Sequence, residues 1–353
     1  MSDAGAMAMP LVAGDRSRSA RRLSGLLVLA LICASVASLS SGASDTSLGQ
    51  VLRDLLAGQG IGARDRIVLV DIRLPRLIMG GLIGAALAVS GALLQGLFRN
   101  PLADPGIVGV SAGAGLGAVS AIVLGGLLPF ATGSWLVPLA AFAGAWVSTM
   151  LLYRVATRQG RTSVATMLLA GIALGAMTSA LTGILVYFAD DTQLRDFTFW
   201  TMGSLAGAGW AKLAIAAPLL LITLCAAPLL ASGLNGLALG EAAAGHIGIA
   251  VQRVKALAVL TVALATGTSV ALSGGIGFVG IIVPHLLRLI SGPDHRHLLP
   301  NAALLGATVL ILADMVSRAV IAPAELPIGI VTAVTGGPFF LWVLLRNRAL
   351  VDL

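Results

Sequence analysis

The sequence predicts an all-α polytopic membrane protein with about ten transmembrane helices. Three observations carry this. Hydrophobic residues fill 58% of the 353 positions and charged residues only 10%, with a mean hydropathy of +0.98; a soluble domain of this length has too little interior to hide that much apolar surface. The apolar residues also fall in runs of the length a helix needs to cross a bilayer. Finally, the 44 glycines supply the small side chains that let helices approach closely inside a membrane.

The first run, 23–39, follows a polar tail (residues 1–22) that ends in Arg16, Arg18, Arg21 and Arg22. A basic start, an apolar core and Ala34-Ser35-Val36-Ala37-Ser38 also fit a cleaved signal peptide. Nothing downstream looks like a mature secreted domain, which favours an uncleaved first span. Residues 40–70 read as a polar connector with two short elements. Further runs follow at 75–97, 104–127, 134–153, 163–188, 211–231, 251–273, 278–291, 298–321 and 327–345, the eighth of the ten being short and glycine-bounded. The chain thus divides into a tail and one membrane domain, 23–350.

Ten spans put both termini on one side. Fourteen of the 22 lysines and arginines fall on that side and the remaining eight on the other. The asymmetry predicts cytoplasmic N- and C-termini. The net charge of +7 is spread over short loops and gives no reason to expect nucleic acid. Cys33 and Cys225 lie inside apolar runs and read as small packing residues. No phosphate-binding Gly-x-x-x-x-Gly-Lys-Ser/Thr loop is present, and the only lysines, Lys212 and Lys255, do not follow a glycine-rich loop. No His/Cys cluster has metal-ligand spacing. The chain is read as no enzyme; if it pumps, the energy comes from elsewhere.

Several stretches stand out against this apolar background. Leu234–Ile249 is not a span. It carries Asn235, Glu241 and His246 among small residues, with Arg253 and Lys255 close behind. Leu234, Leu237, Leu239, Ile247 and Ile249 give one or two short helices an apolar side, and Glu241 and His246 face water or a partner. The stretch is either an ordinary cytoplasmic loop or a docking surface for a soluble subunit. Arg73 and Arg76, three apart at the start of the second span, share a helix face. They are interfacial anchors or receptors for a partner's carboxylates, the anchor reading being the simpler. Asn100-Pro101-Leu102-Ala103-Asp104-Pro105 is a tight turn, since two prolines stop the helix and restrict the residue before each; it is a gate or a plain hairpin. Leu194–Leu205 is aromatic-rich and sits between spans, as an interfacial belt or a short helix. Ser273–Gly280 is dense in glycine and precedes His285, a lone histidine near Arg288 that reads as structural. Asp314 and Arg318 lie four apart and can pair, which lowers the cost of holding a carboxylate in a membrane.

Taken in order, these motifs resemble the FecCD-type permeases of type II ABC importers for iron–siderophores, haem and vitamin B12. The resemblance runs from about Arg73 to Leu345. It implies a homodimer of ten-span subunits in the bacterial inner membrane, with the pathway on the two-fold axis. Two ATP-binding subunits, carrying ATP and Mg, would dock below, and a periplasmic binding protein above. No cofactor would be bound by this chain, and no nucleic acid. The resemblance assigns 232–250 to cytoplasmic coupling helices, with Leu234, Asn235, Leu239, Gly240, Glu241, Ala242, His246 and Gly248 at the ATPase contact. It assigns Arg73, Arg76 and Arg318 to binding-protein docking. It assigns Asn100, Pro101 and Leu102, and more loosely Thr162, Ser163 and Val164, to an inner gate. Phe98–Pro105, Gly109–Ala114 and Tyr187–Asp191 are similar to the haem branch, so haem is the expected substrate, with ferric siderophore or cobalamin as alternatives. An ion-coupled secondary transporter would need embedded carboxylates; only Asp314 lies well inside a span, and Arg318 neutralises it. A membrane enzyme would need clustered catalytic side chains, and none is visible.

Overall fold

The computed structural model describes residues 16–42, 62–106, 109–127 and 133–346, with positions 49, 51, 53 and 56 between the first two segments. Most of the expected tail, 1–15, and the last residues of the expected membrane domain, 347–350, lie outside the described residues. Ser17–Arg22, expected in the tail, form the first turns of a helix.

The chain is a helical bundle. Its elements are α1 (Ser17–Ser40), α2 (Ala63–Phe98), α3 (Val110–Leu124), α4 (Leu136–Ala156), α5 (Val164–Phe188), α6 (Asp191–Met202), α7 (Trp210–Ala226), α8 (Ala231–Leu237), α9 (Glu241–His246), α10 (Val251–Ser273), α11 (Val279–Ser291), α12 (His295–Ala319) and α13 (Ile328–Arg346). A two-residue-per-strand hairpin, β1 (Thr157–Arg158) with β2 (Arg161–Thr162), joins α4 to α5. Among the described residues eight helical segments are long and apolar enough to cross a membrane, and α11 and the apolar part of α13 are two shorter ones. The ten expected spans are therefore all helical, and the eighth is the shortest of them.

Two boundaries differ from expectation. The connector was expected to run to residue 70, but helix begins at Ala63 and continues unbroken into α2. Its segment Ile67–Arg73 is π-helical. Pro75 has no N–H to give the carbonyl of Asp71, and the Leu74 N–H bonds instead to Leu69, five residues back. The third span was expected from residue 104, but α3 starts at Val110. Side chains hold the intervening loop: Asn100 Oδ1 accepts the Leu102 N–H at 2.9 Å and Asp104 Oδ1 accepts the Gly106 N–H at 2.8 Å. Such local bonds compete with a helix ladder.

α2 is the centre. Every residue from Ile83 to Phe98 is buried, enclosed by α7, α10, α11 and α12. Small residues allow this. A Cβ on Gly84 would fall on the carbonyl of Gly306 in α12, and one on Gly91 would fall on the carbonyl of Gly280 in α11. Backbones in such contact gain dispersion where lipid offers no hydrophobic drive. Some polar groups among them are paired: Arg288 donates to Gln95, whose amide donates to the Gly280 carbonyl at 3.2 Å, whereas the buried Ser90 hydroxyl has no partner among the described residues. α3 and α4 form a second pair, with α5 on its outside. α1 lies along α12, held where Ser24 donates to the fully buried Asn301 at 2.7 Å.

Helix ends gather at two opposite ends of the bundle. One holds Ser38–Ser41, Arg73, Arg76, Arg318 and Leu326. There Ser204 donates to Ser273 (2.7 Å) and Ile328 to Gly203 (3.0 Å), clasping α6, α10 and α13 together. The other holds the hairpin, α8 and α9, and the starts of α10 and α12.

Candidate functional site

The first end is built on Arg76, in the first turn of the α-helical Leu74–Phe98 part of α2 and only 8% exposed. A buried guanidinium needs counter-charge, and its planar fork suits two carboxylates. Nε and Nη2 donate to Asp314 Oδ1 at 3.0 and 2.8 Å, while Nη1 and Nη2 donate to Glu325 Oε1 and Oε2 at 2.8 and 2.9 Å. Asp314 also accepts Arg318 Nε at 3.0 Å, one turn along α12, the pairing its spacing predicts. Arg318 donates further to the carbonyl of Ser41 (2.9 Å) and the hydroxyl of Ser38 (2.9 Å) at the end of α1. Arg73 Nη1 donates to the Leu39 carbonyl at 2.6 Å.

The structure thus brings Arg73, Arg76 and Arg318 together, but as a fold-internal network. Arg73 and Arg76 are turned inward, and both are in contact with other groups of the chain. Among the described residues this cluster sets Arg76 and Arg318 against Asp314 and Glu325, with Arg73 beside them in contact with other groups of the chain. Glu325 is its most exposed ionic member, with 37% of its side chain accessible. The sequence gives no spacing signal for Arg76 with Asp314 or Glu325, since 238 and 249 residues separate them.

The second end is built on the break after α7. A 3-10 turn over Ala227–Leu230 leads into α8, and α9 follows after Gly240, whose φ of +103° suits a residue without a Cβ. Leu234 is fully buried and Leu237 nearly so, so α8 is seated by its apolar side. Asn235 is used internally as well. Its amide donates to Asp294 Oδ1 at 2.6 Å, and its oxygen accepts the His295 N–H at 3.0 Å. Asp294 is the N-cap of α12, accepting the Arg296 N–H at 2.9 Å. Partial burial works to raise the Asp294 carboxyl, but these hydrogen bonds and the charges of His297 and Arg296 hold it below its ordinary value.

The outward side of this stretch is Leu239, 70% exposed, and Ile247, 63% exposed, with Glu241, Ala242 and His246 between them and Gly248 just after. Leu239 and Ile247, grouped in sequence with Leu234 and Leu237 on one apolar side, thus point outward while those two are seated inward. Glu241 is accessible yet engaged: its Oε1 accepts Lys255 Nζ at 2.6 Å. Lys255 itself is 1% exposed, and it also donates to the Thr162 carbonyl at 2.6 Å. Gln252 Oε1 accepts the Thr162 N–H at 2.9 Å. Ser163 caps α5, accepting the Thr166 N–H at 3.2 Å, and Val164 opens that helix.

The other expected gate piece sits at the same end. Arg99, at the left-handed close of α2, approaches Gly240, and Asn100 and Pro101 are exposed after it. Leu102 lines a cleft with Ile281, His285 and Phe340. Sequence reasoning missed Glu325, Gln252 and Lys255 as working groups. A lysine near the start of an apolar span was the one available sign for Lys255, because such a charge needs a partner. Among the described residues no three His, Cys, Asp or Glu side chains are grouped to hold a metal.

Comparison with known proteins places this architecture. Residues 27–346 match the FecCD transport family. The chain is 43% identical to the hemin transport system permease protein HmuU of Yersinia pestis over 328 residues, 93% of this chain and 96% of that one. It is 46% identical to the vitamin B12 import system permease protein BtuC of Salmonella typhi over 293 residues, 82% of this chain and 87% of that one. A solved inward-facing structure of a metal-chelate type ABC transporter superposes with a TM-score of 0.82 at 32% identity, covering 92% of this chain and 99% of the other. The chain belongs to the FecCD transport family, as a multi-pass membrane permease of the type II ABC importer kind.

Proposed function

We propose that this chain is the permease subunit of an ATP-driven haem importer in a bacterial inner membrane. The observation that carries the reading is the match to a hemin permease along nearly the whole of both chains. In this reading the termini are cytoplasmic, and two copies pair around a central pathway. Two ATP-binding subunits, which hold the ATP and Mg, seat on the outward side of α8–α9. This chain binds no cofactor of its own. A periplasmic binding protein delivers haem to the Arg76 end.

The two ends suit those tasks differently. Leu239 and Ile247 project from a short helical element that is itself anchored by Leu234 and Asn235, so a partner gains apolar contact without ordering a loop. At the Arg76 end, the incoming carboxylates meet arginines already paired. Glu325 is the accessible partner that such a carboxylate replaces, with the Arg76 guanidinium drawing it in. The exposed apolar face of α5, including Leu169, Ile172 and Ile184, is available to the pathway and the second copy. A bulky amphipathic substrate then moves through a wide, weakly binding passage, gated by Asn100–Leu102 and Thr162–Val164.

The test is uptake by proteoliposomes containing the permease and its ATP-binding subunits, with the cognate binding protein outside. ATP-dependent accumulation of haem, read by its visible absorption, supports the reading. Accumulation of cobalamin and not haem moves the substrate to the second reading, which the 46% identity to a vitamin B12 permease keeps in view. A ferric siderophore would leave the same machinery in place.

A further inference from the structure

We propose that Lys255 is a strut that carries motion from the α8–α9 element to the β1–β2 hairpin. This deepens the functional reading and rests on it, since it takes α8–α9 as the seat of the ATP-binding subunit. The ammonium group is almost fully buried, yet its two bonds go to two different elements. One runs to Glu241 at the first residue of α9, the other to the Thr162 carbonyl at the end of β2, both at 2.6 Å. Gln252, nearly one turn earlier on α10, takes the N–H of the same residue at 2.9 Å. Thr162 is therefore held at both its backbone groups by side chains of one helix. Its hydroxyl is bonded to that of Thr157 across the hairpin at 2.9 Å, so the hairpin follows as a unit.

The chemistry makes this link obligatory. An ammonium sealed from water must keep its partners, because losing one leaves an uncompensated buried charge. When a docked subunit shifts α9, Glu241 cannot leave without Lys255 or a replacement anion. The lysine therefore follows the carboxylate and pulls on the Thr162 carbonyl. Lysine suits the task, with a flexible stem and a compact charge that can serve two acceptors through small displacements. Lys255 touches neither substrate nor nucleotide in this scheme; it is a positioning residue.

The experiment uses the complete importer complex in proteoliposomes, with a nitroxide attached at exposed Gln159→Cys in the hairpin turn. Lys255→Met should retain the ATP-binding subunits on co-purification and keep ATP hydrolysis within about twofold, while haem moved per ATP falls about tenfold, the scale of coupling between sites. The nucleotide-dependent change in nitroxide mobility should vanish in the same variant. Lys255→Arg, which keeps the charge and donors, should restore part of both signals. Gln252→Leu removes the second tie without stranding a charge, and should lower uptake per ATP by a smaller factor. Unchanged uptake per ATP and an unchanged mobility signal in Lys255→Met would overturn the strut and leave the docking reading standing. Loss of the ATP-binding subunits from that variant would overturn it too, by making Lys255 part of the seat. Should Lys255→Met not accumulate as folded protein, full coupling in Gln252→Leu decides against the strut. No ATP-driven uptake in the unmodified complex is the separate failure of the importer reading.

Discussion

Asp314 is shared by two arginines, Arg76 from α2 and Arg318 from its own helix. Its substitution by asparagine should therefore strand positive charge in a buried site. The expected cost is about 3–5 kcal/mol, the usual penalty for breaking a buried pair, read as a lowered melting temperature in detergent. Glu325 sits at the accessible edge of the same network. Glu325→Gln should leave Arg76 half-satisfied and more available, tightening binding-protein capture several-fold, the ~1 kcal/mol that an exposed charge contributes. The gain should fade with added salt; weaker capture would show that Glu325 organises the arginines instead of masking them. The Asp314–Arg318 contact was legible because four residues make one helical turn. The Arg76 contacts were not, because periodicity says nothing about which distant helix lies alongside.

At the level of elements, caps and seats matter more than propensity. Asp294 joins the start of α12 to α8 through Asn235. Its folded carboxyl titrates below its unfolded value of about 3.9. The stabilisation is thus fully present above that value and lost as pH falls through the lower folded one. The melting-temperature gap between the native chain and Asp294→Asn should hold constant from about pH 7 to 5 and close below about pH 4. The outward side of α8–α9 has its own test in Leu239→Asp. That side chain is exposed and packs on nothing it must keep, so the fold should survive while capture of the ATP-binding subunit weakens at least ~10-fold, as for a central apolar anchor. Undiminished capture would remove Leu239 from the contact. Apolar runs located every span in the sequence, but they blurred the edges. Turn chemistry at Asn100 and Asp104 delays α3, and Pro75 extends α2 backwards through a π-helical segment. Residue-type counts register neither effect. The split of leucines before Gly240 was also hidden, since Leu234 and Leu239 look alike in sequence but one is buried and the other exposed in the fold.

Over the whole molecule, α1 is tied to α12 near both its ends, by Ser24 to Asn301 and by Arg318 to Ser38 and Ser41. These ties suit the reading of α1 as a first span that stays in the fold. An epitope placed before residue 1 should stay on the mature chain and be protected from protease added outside intact cells; its loss during maturation would restore the signal-peptide reading. The central position of α2, with α11 and α12 pressed against its glycines, also sets which parts can move. Backbones in contact slide at a steric cost, whereas the hairpin, α8–α9 and α5 lie at the margin of that packed centre.

The Arg76 network carries a consequence for how the chain is made. Arg76 reaches the translocation machinery early, with the second span, while both of its carboxylates are still unsynthesised, the nearer one 238 residues away. Until the ninth span arrives, that arginine must wait at the water boundary. Only then can the second helix settle to its final depth, so the last helices to be inserted complete the burial of one of the first.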